Sequence, residues 1–138
     1  MKFGQKEFTS HLQQAIQEKE KQIEALLERL NNEYEARFNQ VHLTFETSFE
    51  REGFDPFQPG YSSFISIGIS EEGGELIDLH TVPIWVCERS FLGLTVSKNL
   101  PGSKVTGELL DESIEEVQVE VYEYAESQLV DIKSEDRT

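Results

Sequence analysis

The stretch DESIEEVQVEVYEYAESQ, residues 111–128, sets the architecture, because it reads as a strand in its middle and as a capped helix at its ends. Val117, Val119 and Val121 alternate with polar residues, a period of two with β preference. At 100° per residue, however, Ile114, Val117, Val121, Tyr122, Tyr124, Ala125, Leu129 and Ile132 fall within one arc of about 160°. Glu115, Glu116, Glu120, Glu123, Glu126 and Asp131 fall outside it, and only Val119 and Val130 are misplaced. Ser113 followed by Glu116 is a capping box, and the early acids suit the positive end of a helix dipole. The strand reading accounts for the middle alone, whereas the helix reading accounts for the whole stretch. The spacing predicts a helix over 113–132, with a tail at 133–138.

That helix would hold the most acidic part of the chain. Of the net charge of -15, residues 1–38 contribute -1, residues 39–105 contribute -5 and residues 106–138 contribute -9. Such a field repels phosphate and anionic lipid and excludes direct binding to nucleic acid or a membrane surface; it favours a basic protein partner. Glu116, Glu120 and Glu123 would form a ridge of like charge that only packing of the apolar arc can hold in place. The acidic face is expected to look outward.

Working back toward the N-terminus, Phe8, Leu12, Ile16, Ile23, Leu27, Leu30, Tyr34 and Phe38 recur at helical spacing, uninterrupted by Pro or Gly, and predict a helix over 5–38. Thr9 or Ser10 offers a cap for a later start, and Glu33 with Arg37 is a favourable i,i+4 pair. At 1.5 Å per residue this helix would be about 50 Å long, more than a domain of this size needs, so part of it is expected to pack on a second copy in a homodimer. Lys19 and Glu33 interrupt the seam of a dedicated coiled coil.

Between the helices, 40–110 reads as an antiparallel meander of four or five strands. Val41, Leu43, Phe45, Thr47 and Phe49 alternate onto one face. Ile65, Ile67 and Ile69 do the same, opposite Phe64, Ser66, Gly68 and Ser70. EEGG at 71–74 predicts a hairpin turn. Pro83 demands an edge, a bulge or a bend in its strand. FLGLTVS, after a short ERS link, and KVTGELL supply the remaining strands. The whole is one α+β domain over 1–138, both helices packed on the same sheet face.

Chemistry is sparse. His42 with Glu46 and Asp78 with His80 have the residue types of a metal site, but such pairs on strands arise readily by chance, and a solvated sheet face is the better reading. Cys87 shares strand parity with Trp85, Leu79 and Ile77 and is expected to be a buried structural thiol. No metal, cofactor or catalytic constellation is expected. A lone cysteine and the lack of an apolar leader or span suggest a cytoplasmic location. GFDPFQPGY, residues 53–61, holds Phe54, Phe57 and Tyr61 on a stiff loop that either folds over the end of the core or presents aromatic anchors.

Two functions fit these features. The first is a non-catalytic adaptor, chaperone or immunity-type binder, meeting a basic partner through Glu116, Glu120, Glu123 and the aromatic loop. The second is a small-molecule binder with an apolar cavity between helix and sheet, lined by Tyr34, Phe45, Phe64 and Trp85. A weaker third reading is a mimic of nucleic-acid charge.

Overall fold

The structure is a computed structural model and describes residues 1–135. Its elements run β1 (Lys2–Gly4), a 3-10 turn (Gln5–Glu7), α1 (Ser10–Asn39), β2 (Leu43–Glu52), β3 (Ser62–Glu71), β4 (Leu76–Phe91), β5 (Leu94–Thr95), β6 (Lys104–Leu109) and α2 (Ile114–Glu135). One antiparallel sheet has the order β1-β6-β4-β3-β2, with β5 attached to β4. It has six strands, one more than the upper expectation, because residues 2–4, outside the expected sheet at 40–110, pair with β6. The α+β class and the shared helix face are as expected from the sequence.

The helix over 111–128 forms. Val117, Val121, Ala125 and Leu129 are buried, while Val119 and Val130, the two residues off the arc, are each 55% exposed. Ser113 Oγ accepts from Glu116 N at 3.2 Å, and Glu116 Oε1 accepts from Ser113 N at 3.4 Å. The helix continues through 133–135; the rest of the expected tail lies outside the described residues.

At the other end, α1 starts later than the apolar stripe implies. Thr9 caps it in an extended conformation, its side chain accepting from Leu12 N. An N-cap hydroxyl satisfies one of the donors a helix start leaves open, and here it outweighs extending the stripe back to Phe8. Buried residues then run the length of α1, from Leu12 to Phe38, against the chain's own sheet. The apolar stripe of α1 is thus covered within the chain along its whole length.

Two clusters form the core. The larger joins α1 and α2 to β2 and β3 through residues such as Leu30, Phe38, Phe45, Ile67 and Val121. The smaller gathers Leu12, Ile16, Tyr61, Cys87 and Val105 around Trp85, under Phe3, Phe8 and Phe57. Burying one side chain of this size contributes roughly 1.5–3 kcal/mol.

The strand β4 departs most from expectation. It runs unbroken from Leu76 to Phe91, straight through the expected ERS link, and after it a tight turn pairs only Leu94 and Thr95 back. Opposite β3 it carries two irregularities: Ile77 lies between the pairs Ser70↔Leu76 and Ile69↔Asp78, and Ile84 between Phe64↔Pro83 and Ser63↔Trp85. The second bulge, beside Pro83, reverses side-chain parity. Asp78, His80, Val82 and Ile84 therefore face the helices, and beyond the bulge Trp85 and Cys87 do so. Cys87 is buried as expected, yet Ile77 and Leu79, of the same nominal parity, are 46% and 52% exposed on the outer face.

Candidate functional site

The expected cavity between helix and sheet is filled. Phe38 stacks on Phe45 at 4.9 Å, and Tyr34 meets Phe45 at 5.9 Å. Trp85 belongs to the second cluster, and Phe64 points to the outer face. The four residues expected to line a cavity do not meet around one space.

The aromatic loop folds over the core. Tyr61 is buried and donates its hydroxyl to Glu20 at 3.0 Å; burial first, and the Glu20 charge second, push its phenol up to about 12. Phe57 stacks on Phe8 at 4.7 Å, and Trp85 Nε1 donates to Pro56 O at 2.6 Å. Of the three anchors only Phe54 is fully exposed. The buried Glu20, also 3.4 Å from Arg51, was legible as the one acid on the apolar stripe of α1, midway between Ile16 and Ile23.

The histidine and carboxylate pairs do not converge. His42 sits before β2 at φ 62 and meets Glu72, while Glu46 lies on the outer sheet face. Asp78 and His80 turn inward under α2, because the bulge puts even-numbered residues on that side. Among the described residues no group of His, Cys, Asp or Glu is placed to hold a metal.

Instead Asp78 and His80 tie β4 to α2. Tyr124 donates its hydroxyl to Asp78, His80 stacks on Tyr124 at 4.5 Å, and His80 Nε2 lies 3.2 Å from Glu120 Oε2. The match is geometric: four residues of helix advance about 6 Å, and two residues of strand about 6.6 Å, so an i,i+4 pair on α2 meets an i,i+2 pair on β4. Burial, and then the Asp78 contact, raise the Tyr124 phenol above its ordinary value. At the back of α2, Glu126 takes a forked contact from Arg37, both arms at 3.0 Å, and accepts from Tyr34 at 2.8 Å. Glu126 is thus turned toward α1, an exception to the outward acidic face.

What remains outward is a strip along α2. Glu112, Glu115, Glu116, Glu120 and Glu123 border a shallow groove with Val119 and Tyr124. Glu116 is engaged by the helix cap and Glu120 by His80, whereas Glu123 has no hydrogen bond or ion pair among the described residues. Burial, and then the Glu120 and Glu116 charges, raise the Glu112 carboxyl above its ordinary value.

The strip lies beside an open sheet edge. Strand β6 pairs with β4 only from Trp85 to Ser90, and Leu110 N donates to Ile84 O as the chain leaves for α2. From Leu76 to Pro83, β4 has β3 on one side and, among the described residues, no strand on the other. Where the strands fork lies a hollow of about 380 Å³, lined by Pro83, Ile84, Val86 and Leu110, by Glu108, Asp111 and Glu112, and by Lys2 and the Met1 ammonium, which pairs with Asp111 at 2.8 Å. Glu112 borders both hollow and strip. The open edge was not visible in the sequence; its one signal was Pro83.

No protein-family model, curated protein or solved structure matches the chain. Among the described residues, no helix is long and apolar enough to cross a membrane.

Proposed function

We propose that the chain is a non-catalytic binding module that takes a basic protein partner along α2 and the neighbouring edge of β4. The observation that carries this reading is the crowded strip from Glu112 to Glu123, held against the fold by His80, Tyr124 and the buried arc, with its carboxylates concentrated on one side. Like charges at this spacing repel one another, and a cationic partner relieves that repulsion while supplying the Coulomb attraction that speeds encounter. On the outer face of the same strand, exposed Leu76, Ile77 and Leu79 add apolar area that charge alone does not need.

Binding of a fluorescent lysine-rich peptide tests this. Affinity should fall steeply as salt rises, and Glu123→Lys should weaken it, since that side chain has no structural partner to lose. Glu120→Lys should weaken it too, with an added stability cost from the His80 contact. Failure of such peptides to bind at low salt, or indifference to charge reversal at 123, overturns the reading.

A further inference from the structure

The edge of β4 has a property that a merely acidic surface lacks. Between its two bulges, Asp78 to Pro83 is a regular run about 20 Å long at 3.3 Å per residue, paired on one side only. Its two side-chain rows differ in chemistry. The outer row is Leu79, Thr81 and Pro83, continued across the sheet by Phe64, which pairs with Pro83. The inner row is Asp78, His80 and buried Val82, with Asp78 and His80 roofed by Glu120 and Tyr124.

The sheet's other edges are blunted, as edges in stable monomers are. β1 is three residues long, and β2 carries Glu46, Glu50 and Glu52 on its outer face. The open half of β4 instead exposes Leu76, Ile77 and Leu79.

Resting on the reading above, we infer that the partner docks as an extended strand added to β4 at Asp78–Pro83, its side chains alternating basic and apolar. Residues of an added strand point alternately to the two sheet faces, and each stands about 5 Å from its neighbour across the ladder. Those on the helix side meet Asp78, Glu120 and Glu112 and are lysine or arginine. Those on the outer side extend the row of Leu79, Pro83 and Phe64 and are apolar. The hollow at the fork is not assigned to the partner, because Lys2 and the Met1 ammonium already line it and Met1 pairs with Asp111 at 2.8 Å. A second copy is the wrong occupant, because pairing this edge with itself sets Asp78 and Glu120 against their own counterparts on chains of charge -15.

The test uses the full chain and four eight-residue probes: strictly alternating lysine and valine; the same residues as a lysine block followed by a valine block; and the alternating peptide N-methylated at every second amide, in each of the two phases. Strand addition predicts that the alternating peptide binds about ten-fold tighter than the block, since only it can satisfy both rows at once. It also predicts that one methylation phase binds and the other does not, because alternate amides of an added strand face the ladder. Amides within Asp78–Val82 should gain protection from hydrogen exchange. Equal binding of alternating and block peptides, or of both methylated phases, removes strand addition and leaves the charge-led reading standing. Failure of all four at low salt removes both. Protection of the same amides on self-association without peptide makes a second copy the occupant and overturns the inference.

Discussion

Gly107 on β6 offers the sharpest test of how the second core cluster is built. A Cβ placed there would overlap the six-membered ring of Trp85, clashing with Cη2 and Cζ2 and standing 2.9 Å from Cζ3. The ring has nowhere to go: its Nε1 donates to Pro56 O, and Phe3, Phe8 and Phe57 surround it within 6.3 Å. Strand propensity alone favours Gly107→Ala by roughly 0.5–1 kcal/mol. Overpacking opposes it by about 1–3 kcal/mol, and with a pinned ring the upper half of that range applies. The net expectation is a loss of about 2 kcal/mol, which in a chain of this length lowers Tm by about 7 °C. Trp85→Phe shortens the ring, so Gly107→Ala in that background should cost about 2 kcal/mol less than in the native one, a coupling a double-mutant cycle measures. Trp85 is the sole tryptophan, so urea unfolding should be monitored by far-UV circular dichroism. An unchanged or raised midpoint for Gly107→Ala, or the same cost in both backgrounds, would refute the packing argument.

Two further expectations concern titration. Hydrogen bonds from Arg37, then Tyr34, hold the Glu126 carboxyl below its ordinary value; a depressed acid stabilises the fold above its unfolded pKa and loses that contribution as pH falls through the folded one. Glu112, raised by burial and then by Glu120, acts oppositely: its contribution is present at low pH and lost as pH rises through the raised value. Across a Tm series from about pH 3 to 7, Glu126→Gln should flatten the acid limb and Glu112→Gln should lift the neutral end, and profiles parallel to the wild type would sink both assignments. The Cys87 thiol is pushed up to about 11 by burial, then by the Asp55 and Glu88 charges. A thiol-specific disulfide reagent near pH 8 should spare it in the native protein and react fully after denaturation; reaction of the native protein at the unfolded rate would contradict its burial.

The sites show where sequence reading stops. The outward position of Glu123 came from helix angle alone, and so did the misfit of Val119 and Val130. Glu126 lay on the same expected face, but Arg37 and Tyr34 on α1 claim it, and nothing local to α2 announces them. Tyr61 and Phe54 belong to one loop, yet one is buried and the other fully exposed. What separates them is Glu20 and the indole of Trp85, distant in sequence and near in space.

Helix periodicity and caps act within a few residues of backbone, so α1, α2 and the charge that α2 displays were legible in the chain's own order of residues, along with the inward row Ile65, Ile67 and Ile69. Strand register is set between segments far apart in the chain. It took the assembled sheet to place the bulge at Ile84, turn Asp78 and His80 under α2, expose Leu79, and leave half of β4 paired on one side only. A bulge inserts one residue against a partner strand, and that mismatch exists only once the partner is in place.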